Sequence, residues 1–512
     1  MSTEGKNITA KEMADNLAKF ALENVPGLKE KLEGQEKQDR RQITSPKNGK
    51  NGGRNHLPVD LWAQSFIERR YRSEGIYTLR RYVGQWYEFH GNHWRELSKS
   101  DLESDVMGFL QDSGIGEQTR LSGALVSDII KNMQSSAYCN LHSGRYQIPC
   151  FLPSGENAAG WLPMRNAVIN IEAAAAAAGR GEPLPPTARR DRSPALFATF
   201  GLDYDYAPGA MCHKWDKYIS EVQPEAENRE MLQMLAGLAL VPDCRYNVGF
   251  FLFGPAGTGK SVFVNVLTAL VGKENCCNVP LARLADRFGL APLTEKLLNI
   301  VGELPQMPEN GRSADVEGFF KSITSGDEIP VERKGIDGWK ARAIARMVFA
   351  TNVMPAFTDR SAGVWDRVRI IPFNQVFRGK PNQNHNLTAE LLEELPGIFN
   401  WALLGLAKLR TLQTFPECPE GKALKEDHRN SCDHERAFLQ EFTEAAPGGW
   451  TSSDNLYKQY REWTLNNGYR AVGAANFKKA VKALYPQSMT DRQQTTSGKI
   501  NIFRNMRIIN KL

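Results

Sequence analysis

Eight consecutive residues constrain this 512-residue chain more than any other feature. Gly254-Pro255-Ala256-Gly257-Thr258-Gly259-Lys260-Ser261 follows the apolar run Phe250–Phe253 and leads directly into Val262–Phe263. The pattern is G-x-x-x-x-G-K-S between a strand and an apolar helix. Its glycines let backbone N–H groups close around phosphates where any Cβ would obstruct. Lys260 then reaches the β- and γ-phosphates, and Ser261 offers its hydroxyl to Mg²⁺. The segment predicts a nucleoside triphosphate site on an α/β unit. Strands alternate with helices in this way from about residue 201 to 415.

A phosphate loop alone does not choose among kinases, GTPases and motors, so the later strand ends carry the next step. Leu297–Glu303 is a buried-strand pattern ending in an acid, where a carboxylate can polarise an attacking water. Glu303 stands alone there, because Gly302 occupies the place where many ATPases carry a second acid. Arg346–Asn352 is a second buried strand ending in a polar pair, and the Asn352 amide can sense a γ-phosphate and orient water. Trp365-Asp-Arg367-Val-Arg369 enters a third strand. An arginine here that reaches across a subunit interface would stabilise charge on the γ-phosphate, and such fingers contribute about 10³–10⁵ in rate. Arg369 is the alternative arginine for that role, although its alternation with Val368 and Ile370 reads as that of a strand residue.

Around this unit the composition is globular, 41% hydrophobic and 24% charged, which excludes wholesale disorder. No apolar run reaches the roughly 20 residues of a membrane span, and residues 1–30 lack a signal-peptide core. Eight irregularly spaced cysteines read as reduced thiols, so a soluble, cytoplasmic protein with no membrane partner is expected. Net charge is +6, and residues 475–512 carry eight basic side chains against Asp491. That terminal excess suggests either a module that meets a polyanion or a solvated basic face. Residues 1–57 read as a helical segment (8–33) and a flexible basic stretch (35–57), a tether or a nucleic-acid-contacting arm. Residues 58–200 read as an α+β unit, with two or three antiparallel strands over Ile76–Leu97 and helices near 100–112 and 124–136. The alanine-rich, then Gly/Pro/Arg-rich, stretch 173–194 reads as a low-complexity insertion or linker.

Residues 416–435 are expected to connect the α/β unit to a small unit at 436–512. There, Leu456–Trp463 has helical spacing, Asn466-Asn467-Gly468 is a turn, and Asn476–Leu484 is a second, basic helix. Two alternating stretches follow, at 488–490 and 500–509, giving a winged-helix pattern. Its second helix would place Lys478, Lys479 and Lys482 on phosphates. Cys418, His428, Cys432 and His434 match no common zinc spacing, and no metal is expected there. Asp203 and Asp205 only mimic a polymerase acid pair, and Cys276–Cys277 read as buried thiols.

In order, the phosphate loop, the single-Glu strand, Lys321–Asp327, Ala350-Thr-Asn352-x-x-Pro355 and Trp365-x-Arg367 through Phe373 resemble superfamily 3 helicases. The resemblance is to the ATPase half of phage and plasmid primase–helicases related to the poxvirus primase–helicase. It extends over roughly residues 60–512, through Leu202–Pro208, Leu235–Leu240 and Leu395–Gly405. It implies an AAA+ core ahead of a C-terminal winged helix, assembled as a hexameric ring with ATP and Mg²⁺ between subunits. Single-stranded DNA would thread the centre and be tracked 3′ to 5′. Carried onto this sequence, Lys260 and Ser261 match the phosphate and Mg²⁺ ligands, Glu303 the general base, Asn352 the sensor and Arg367 the finger.

Ile329–Arg342 reads as a hairpin with a glycine-rich tip. Lys334, then Arg333, would grip single-stranded DNA near a ring axis. The expected function is an ATP-dependent DNA helicase replicating a phage, plasmid or integrated element in a bacterial cytoplasm. The alternatives are an origin-binding initiator with little processive unwinding and a non-helicase remodeller. About 57 residues precede the folded region, too few for a polymerase fold, so priming is expected from a separate primase.

Overall fold

The structure, a computed structural model, describes residues 59–509 apart from 74, 114–120, 243, 305–312, 335, 358–361, 380–383, 470 and 497. The helix and basic stretch expected within residues 1–57 lie outside the described residues. The described chain divides into two compact units, 59–171 with 185–206 and 172–184 with 207–509.

In the first unit, helix α1 (Val59–Arg70) precedes an antiparallel meander of β1 (Leu79–Tyr82), β2 (Gln85–His90) and β3 (His93–Leu97). Positive-φ turns at Gly84 and Gly91 join these strands. The alternating aromatics of Ile76–Leu97 thus form the expected hairpins. Helices α2 (Lys99–Asp112) and α3 (Gly123–Ser135) start on serine caps, with Ser98 and Ser122 each accepting from the backbone N–H three residues on. Strand β4 (Asn140–Leu141) pairs in parallel with β1. Phe66, Leu79, Trp86, Val106 and Ile129 share the core beneath these elements. The acids Asp203 and Asp205 are tied to arginines: Arg165 grips Asp205 at 2.9 and 3.0 Å, and Arg95 stands 3.5 Å from Asp203.

The stretch 173–194 differs from the linker expected. Its first part is helix α4 (Ile171–Arg180), whose alanines have the highest helix propensity of any residue. Ala174, Ala175 and Ala177 are buried, and residues 172–184 belong to the second unit. Low complexity here means a close-packing face: a Cβ on Gly179 would lie 2.9 Å from Ala407. Arg410 also grips Glu172 at 2.9 and 2.5 Å.

The second unit is built on five parallel strands. Helices α5 (His213–Val222) and α6 (Ala226–Leu238) lead into β5 (Gly249–Phe253) and α7 (Lys260–Val271). Then come β6 (Cys276–Cys277), β7 (Leu298–Val301), α8 (Ser313–Ser325) and a hairpin of β8 (Glu328–Arg333) and β9 (Ile336–Arg342). Strand β10 (Arg346–Thr351), the short helix α9 (Ala362–Trp365) and β11 (Val368–Pro372) complete the sheet, in the order β6-β7-β10-β5-β11. The strands are continuous apolar runs because a parallel sheet is covered on both faces. Phe251, Phe320, Phe349 and Trp365 lie in one such core. Asn299, fully buried in β7, is satisfied by the backbone of Val279, accepting from its N–H at 2.7 Å and donating to its carbonyl at 3.0 Å.

Helix α10 (Leu395–Leu412) crosses α6 so closely that glycines are required. A Cβ on Gly405 would lie 2.1 Å from the Gln233 carbonyl oxygen. The 416–435 connector is ordered. Helix α11 (Pro419–Cys432) packs on β11, with Cys418 Sγ accepting from the Gly421 N–H at 3.3 Å and His428 Nε2 3.0 Å from the Pro355 carbonyl oxygen.

The C-terminal segment runs α12 (His434–Phe442), β12 (Thr443–Ser452), α13 (Ser453–Asn466), α14 (Ala474–Leu484), β13 (Thr490–Thr495) and β14 (Gly498–Ile508). Its sheet order is β12-β14-β13, and Phe438, Tyr460, Trp463, Phe477 and Phe503 fill its own apolar cluster. His434 stacks on Tyr460 and Tyr469. The helix–turn–helix and following ribbon match the sequence pattern, although the ribbon's first strand starts two residues later than the alternation suggested. Strand β12 was not expected at all. It contains Pro447 and Gly448–Gly449 and accommodates them where its register with β14 shifts between Ala445 and Trp450.

Candidate nucleotide site and basic surfaces

The phosphate loop lies at the carboxyl ends of the parallel strands. Gly259, with φ +91°, closes it as the left-handed cap of α7, so backbone N–H groups at the start of a 12-residue helix face the loop. A Cβ on Gly254 would lie 2.0 Å from the Phe373 carbonyl oxygen. Lys260 is 8% exposed, and its Nζ donates to the Gly254 and Pro255 carbonyls at 2.6 and 2.7 Å. Burial lowers its pKa from the usual lysine value. Thr258 is buried and donates to the Pro255 carbonyl at 3.0 Å, while Pro255, Ala256 and Ser261 are exposed. Helix α5 buttresses the loop: Tyr218 OH donates to the Gly259 carbonyl at 2.9 Å.

Strand register sets the neighbours of the loop. Phe253 is paired with Thr351, and Val301 with Phe349. The ends of β5, β10 and β7 therefore adjoin, and the loop, Asn352 and Glu303 share one edge of the sheet. Both Glu303 and Asn352 are exposed. Arg367 is not with them. It precedes β11, and its carbonyl accepts from the N–H of Gly249, the first residue of β5. At 3.3 Å per residue, Arg367 is roughly 16 Å along the strand from the loop. Its guanidinium donates to the Gly363 carbonyl and, at 2.9 Å, to Ser325 Oγ. Arg369 is a strand residue held by the Phe415 carbonyl at 3.2 Å and by Glu417 at 3.0 Å.

Sequence reasoning missed Arg378. The chain after β11 runs along the phosphate loop, with the Phe373 N–H donating to Phe253 and the Phe377 N–H to Gly257, at 2.7 and 2.8 Å. Arg378 follows, exposed, with its Cβ 2.6 Å from where a Cβ on Gly257 would be. Nothing local marks this arginine, because its place depends on a turn beyond the fifth strand.

The expected hairpin forms, but its two cations differ. Lys334 is exposed at the turn, whereas Arg333 pairs with Glu295 at 3.1 Å and lies over the Trp339 ring. On α14, Lys479 and Lys482 are exposed and Lys478 is half-buried. On the ribbon, Arg504 and Arg507 are paired with Asp491 and Glu444. Burial pushes the Cys276 and Cys277 thiols up to about 12, so both stay protonated at neutral pH. No described helix is long and apolar enough to cross a membrane.

Residues 252–367, from β5 through Arg367, match a family of unknown function, DUF5906. Over 139 residues the chain is 25% identical to "Putative helicase 121R" of Invertebrate iridescent virus 3. That stretch is 26% of this chain and 15% of the viral protein, so only a small part of the relative's length is shared. The apo structure of the NrS-1 C-terminal region is similar at a TM-score of 0.49 and 14% identity, over 88% of this chain and 99% of that one. The A-form apo structure of the same region gives 0.47 and 15%, over 82% and 94%.

Proposed function

We propose that this chain is an ATP-dependent DNA helicase of the superfamily 3 type, an AAA+ motor working as a ring, related to the phage and plasmid primase–helicases. One observation carries the reading. The loop, Glu303 and Asn352 share the carboxyl edge of the sheet, while Arg367 stands at the amino edge. An arginine so placed cannot serve the nucleotide of its own subunit, but it can serve that of a neighbour in a ring. The match to a viral protein named as a helicase adds support.

In this reading Lys260 and the loop N–H groups hold the β- and γ-phosphates. The exposed Ser261 hydroxyl at the start of α7 would hold Mg²⁺, which would supply charge neutralisation to the bound triphosphate. Glu303 takes a proton from the attacking water, and Asn352 orients that water. Arg367 of one subunit compensates charge developing at the next subunit's site. Lys334, at the tip of the β8–β9 hairpin, contacts the single-stranded DNA backbone, and Arg333 keeps the hairpin in place through Glu295. The C-terminal winged helix meets origin DNA through Lys478, Lys479 and Lys482. A separate primase, a bacterial cytoplasm and 3′ to 5′ tracking complete the proposal.

The deciding measurement is steady-state ATP hydrolysis with and without single-stranded DNA, beside Lys334→Ala. DNA should stimulate the wild type, and the variant should lose that stimulation while keeping its basal rate-limiting step. Hydrolysis that ignores DNA in both proteins would remove the motor and favour an origin-binding initiator that uses ATP for assembly. Strand displacement from substrates with a 3′ or a 5′ tail then fixes the polarity.

A further inference from the structure

Two neighbouring arginines at the junction of α11 and α12, both half-buried, each leave a buried donor unmet. Arg429, in the last turns of α11, and Arg436, in the first turn of α12, have side chains 15% and 21% exposed. The Nε–H of each is buried and has no acceptor. They share one nearby carboxylate, Glu426, at 3.9 and 3.7 Å, beyond hydrogen-bond length. A buried donor left unmet is costly, more so when it is charged, and an anion that accepted from it would offset that cost. Burial first, and then the neighbouring Arg436, pull the Arg429 pKa down, against Glu426, Asp366 and Asp433, which raise it.

Both arginines line a cleft of about 630 Å³ whose other wall is α14, through Asn476, Lys479, Ala480 and Leu484. Its acid, Asp433, is occupied as the cap of α12, accepting from the Arg436 N–H at 3.1 Å. Among the residues that line the cleft, three cations stand against Asp433 alone, while Glu426 and Asp366 act on Arg429 from outside the lining. An anion seated between the arginines would meet their forked donors and Lys479 together. Lys482, exposed one turn beyond Lys479 on α14, extends the positive charge along that helix, and that favours an extended polyanion over a small ion.

We propose that this cleft holds a backbone phosphate of a nucleic-acid strand, with Arg429 and Arg436 on one wall and Lys479 on the other. The inference rests on the reading of the C-terminal segment as nucleic-acid-binding and adds the ligand contact that α11 and α12 supply. A strand lying along α14 would thereby be tied to the helix that packs on β11 of the nucleotide-binding sheet.

The test is binding of a labelled DNA duplex to the full chain, by anisotropy across a salt series, with no nucleotide present. Arg429→Gln/Arg436→Gln should weaken binding by about tenfold or more and flatten the salt slope by about one phosphate's worth. Lys479→Glu, on the surface, should move both quantities the same way, and it keeps the test decisive if the double variant folds poorly. In a Lys260→Ala background, which removes the phosphate-loop lysine, pyrophosphate should raise the melting temperature and compete with the duplex. Unchanged affinity and slope in a folded double variant and in Lys479→Glu would overturn the proposal. Pyrophosphate that stabilises the Lys260→Ala chain without competing with DNA would overturn it in favour of a free phosphate ligand. A wild type that binds no duplex would overturn both this assignment and the origin-binding role proposed for the C-terminal segment, whereas a failure confined to the variants overturns the cleft alone.

Discussion

The two edges of the parallel sheet are built from the same kind of strand and differ in whom they can serve. At the carboxyl edge, glycines bring the backbone within reach of a ligand, Lys260 is buried among loop carbonyls, and Glu303 and Asn352 are exposed beside it. At the amino edge, Arg367 is held by the Gly363 carbonyl and Ser325. In the proposed function the first edge receives the phosphates and the attacking water. The second is a positioned cation with no site of its own within its subunit. The difference teaches that catalysis, if the proposed function holds, is divided between neighbouring chains.

The largest effect tests that division directly. Arg367→Ala should lower ATP hydrolysis about 10³-fold or more while ATP still binds. Glu303→Gln should be similarly inactive for a different reason, loss of the base. Mixed in equal amounts, each supplies the edge the other lacks, so roughly one interface in four is whole and activity should return to about a quarter of wild type. Mixtures as inactive as their components would break the comparison and put Arg367 in a structural role.

Next is the shape of the carboxyl edge. Gly254→Ala would set a methyl group 2.0 Å from the Phe373 carbonyl oxygen, where only backbone can yield. Thermal unfolding should show a loss of about 1–3 kcal/mol, accompanied by loss of nucleotide binding. A variant as stable as wild type that still binds ATP would mean that the chain after β11 is not fixed against the loop.

How much of this was legible beforehand follows the range of the interactions. The phosphate loop, the hairpin and the α13–α14 turn were readable because each is specified by neighbours in sequence. Helix α4 was misread because six alanines look like low complexity, and its reason for folding, a face of Ala174, Ala175 and Ala177 packed away from solvent, lies outside its own sequence. Strand β12 was missed because Pro447 and two glycines are turn signals, and only its partner β14 and a register shift make them tolerable. Sequence alone ranks Lys334 ahead of Arg333 but leaves both as DNA contacts, and only Glu295, thirty-eight residues before Arg333, claims one of them. Arg429 and Arg436 carried no signal, since three helices must meet before their shared lack of acceptors appears.

Arg378 sharpens the carboxyl edge with a smaller effect. Its backbone lies against Gly257, and the side chain is exposed beside the loop. If its guanidinium reaches bound phosphates, Arg378→Ala should raise the KM for ATP about tenfold, with kcat within about twofold. An unchanged KM would leave Lys260 and the N–H groups as the whole of the phosphate grip on that edge.

The smallest effect belongs to the amino edge and separates position from charge. Ser325 accepts from Arg367 at 2.9 Å, and Ser325→Ala removes that acceptor while leaving the arginine. Hydrogen bonds to charged groups are worth about 1.5–3 kcal/mol when fully formed, and Gly363 still holds the other nitrogen. A guanidinium held at one point should wander more and reach the neighbouring site less often. The expected result is a fall in kcat of about threefold with no change in KM, since the residue never touches its own subunit's nucleotide. A change confined to KM would place Ser325 on the wrong edge for this division of labour. A fall in kcat that persists in the Arg367→Ala background would show that Ser325 acts by another route, because a residue working only through Arg367 has nothing left to position once the guanidinium is gone.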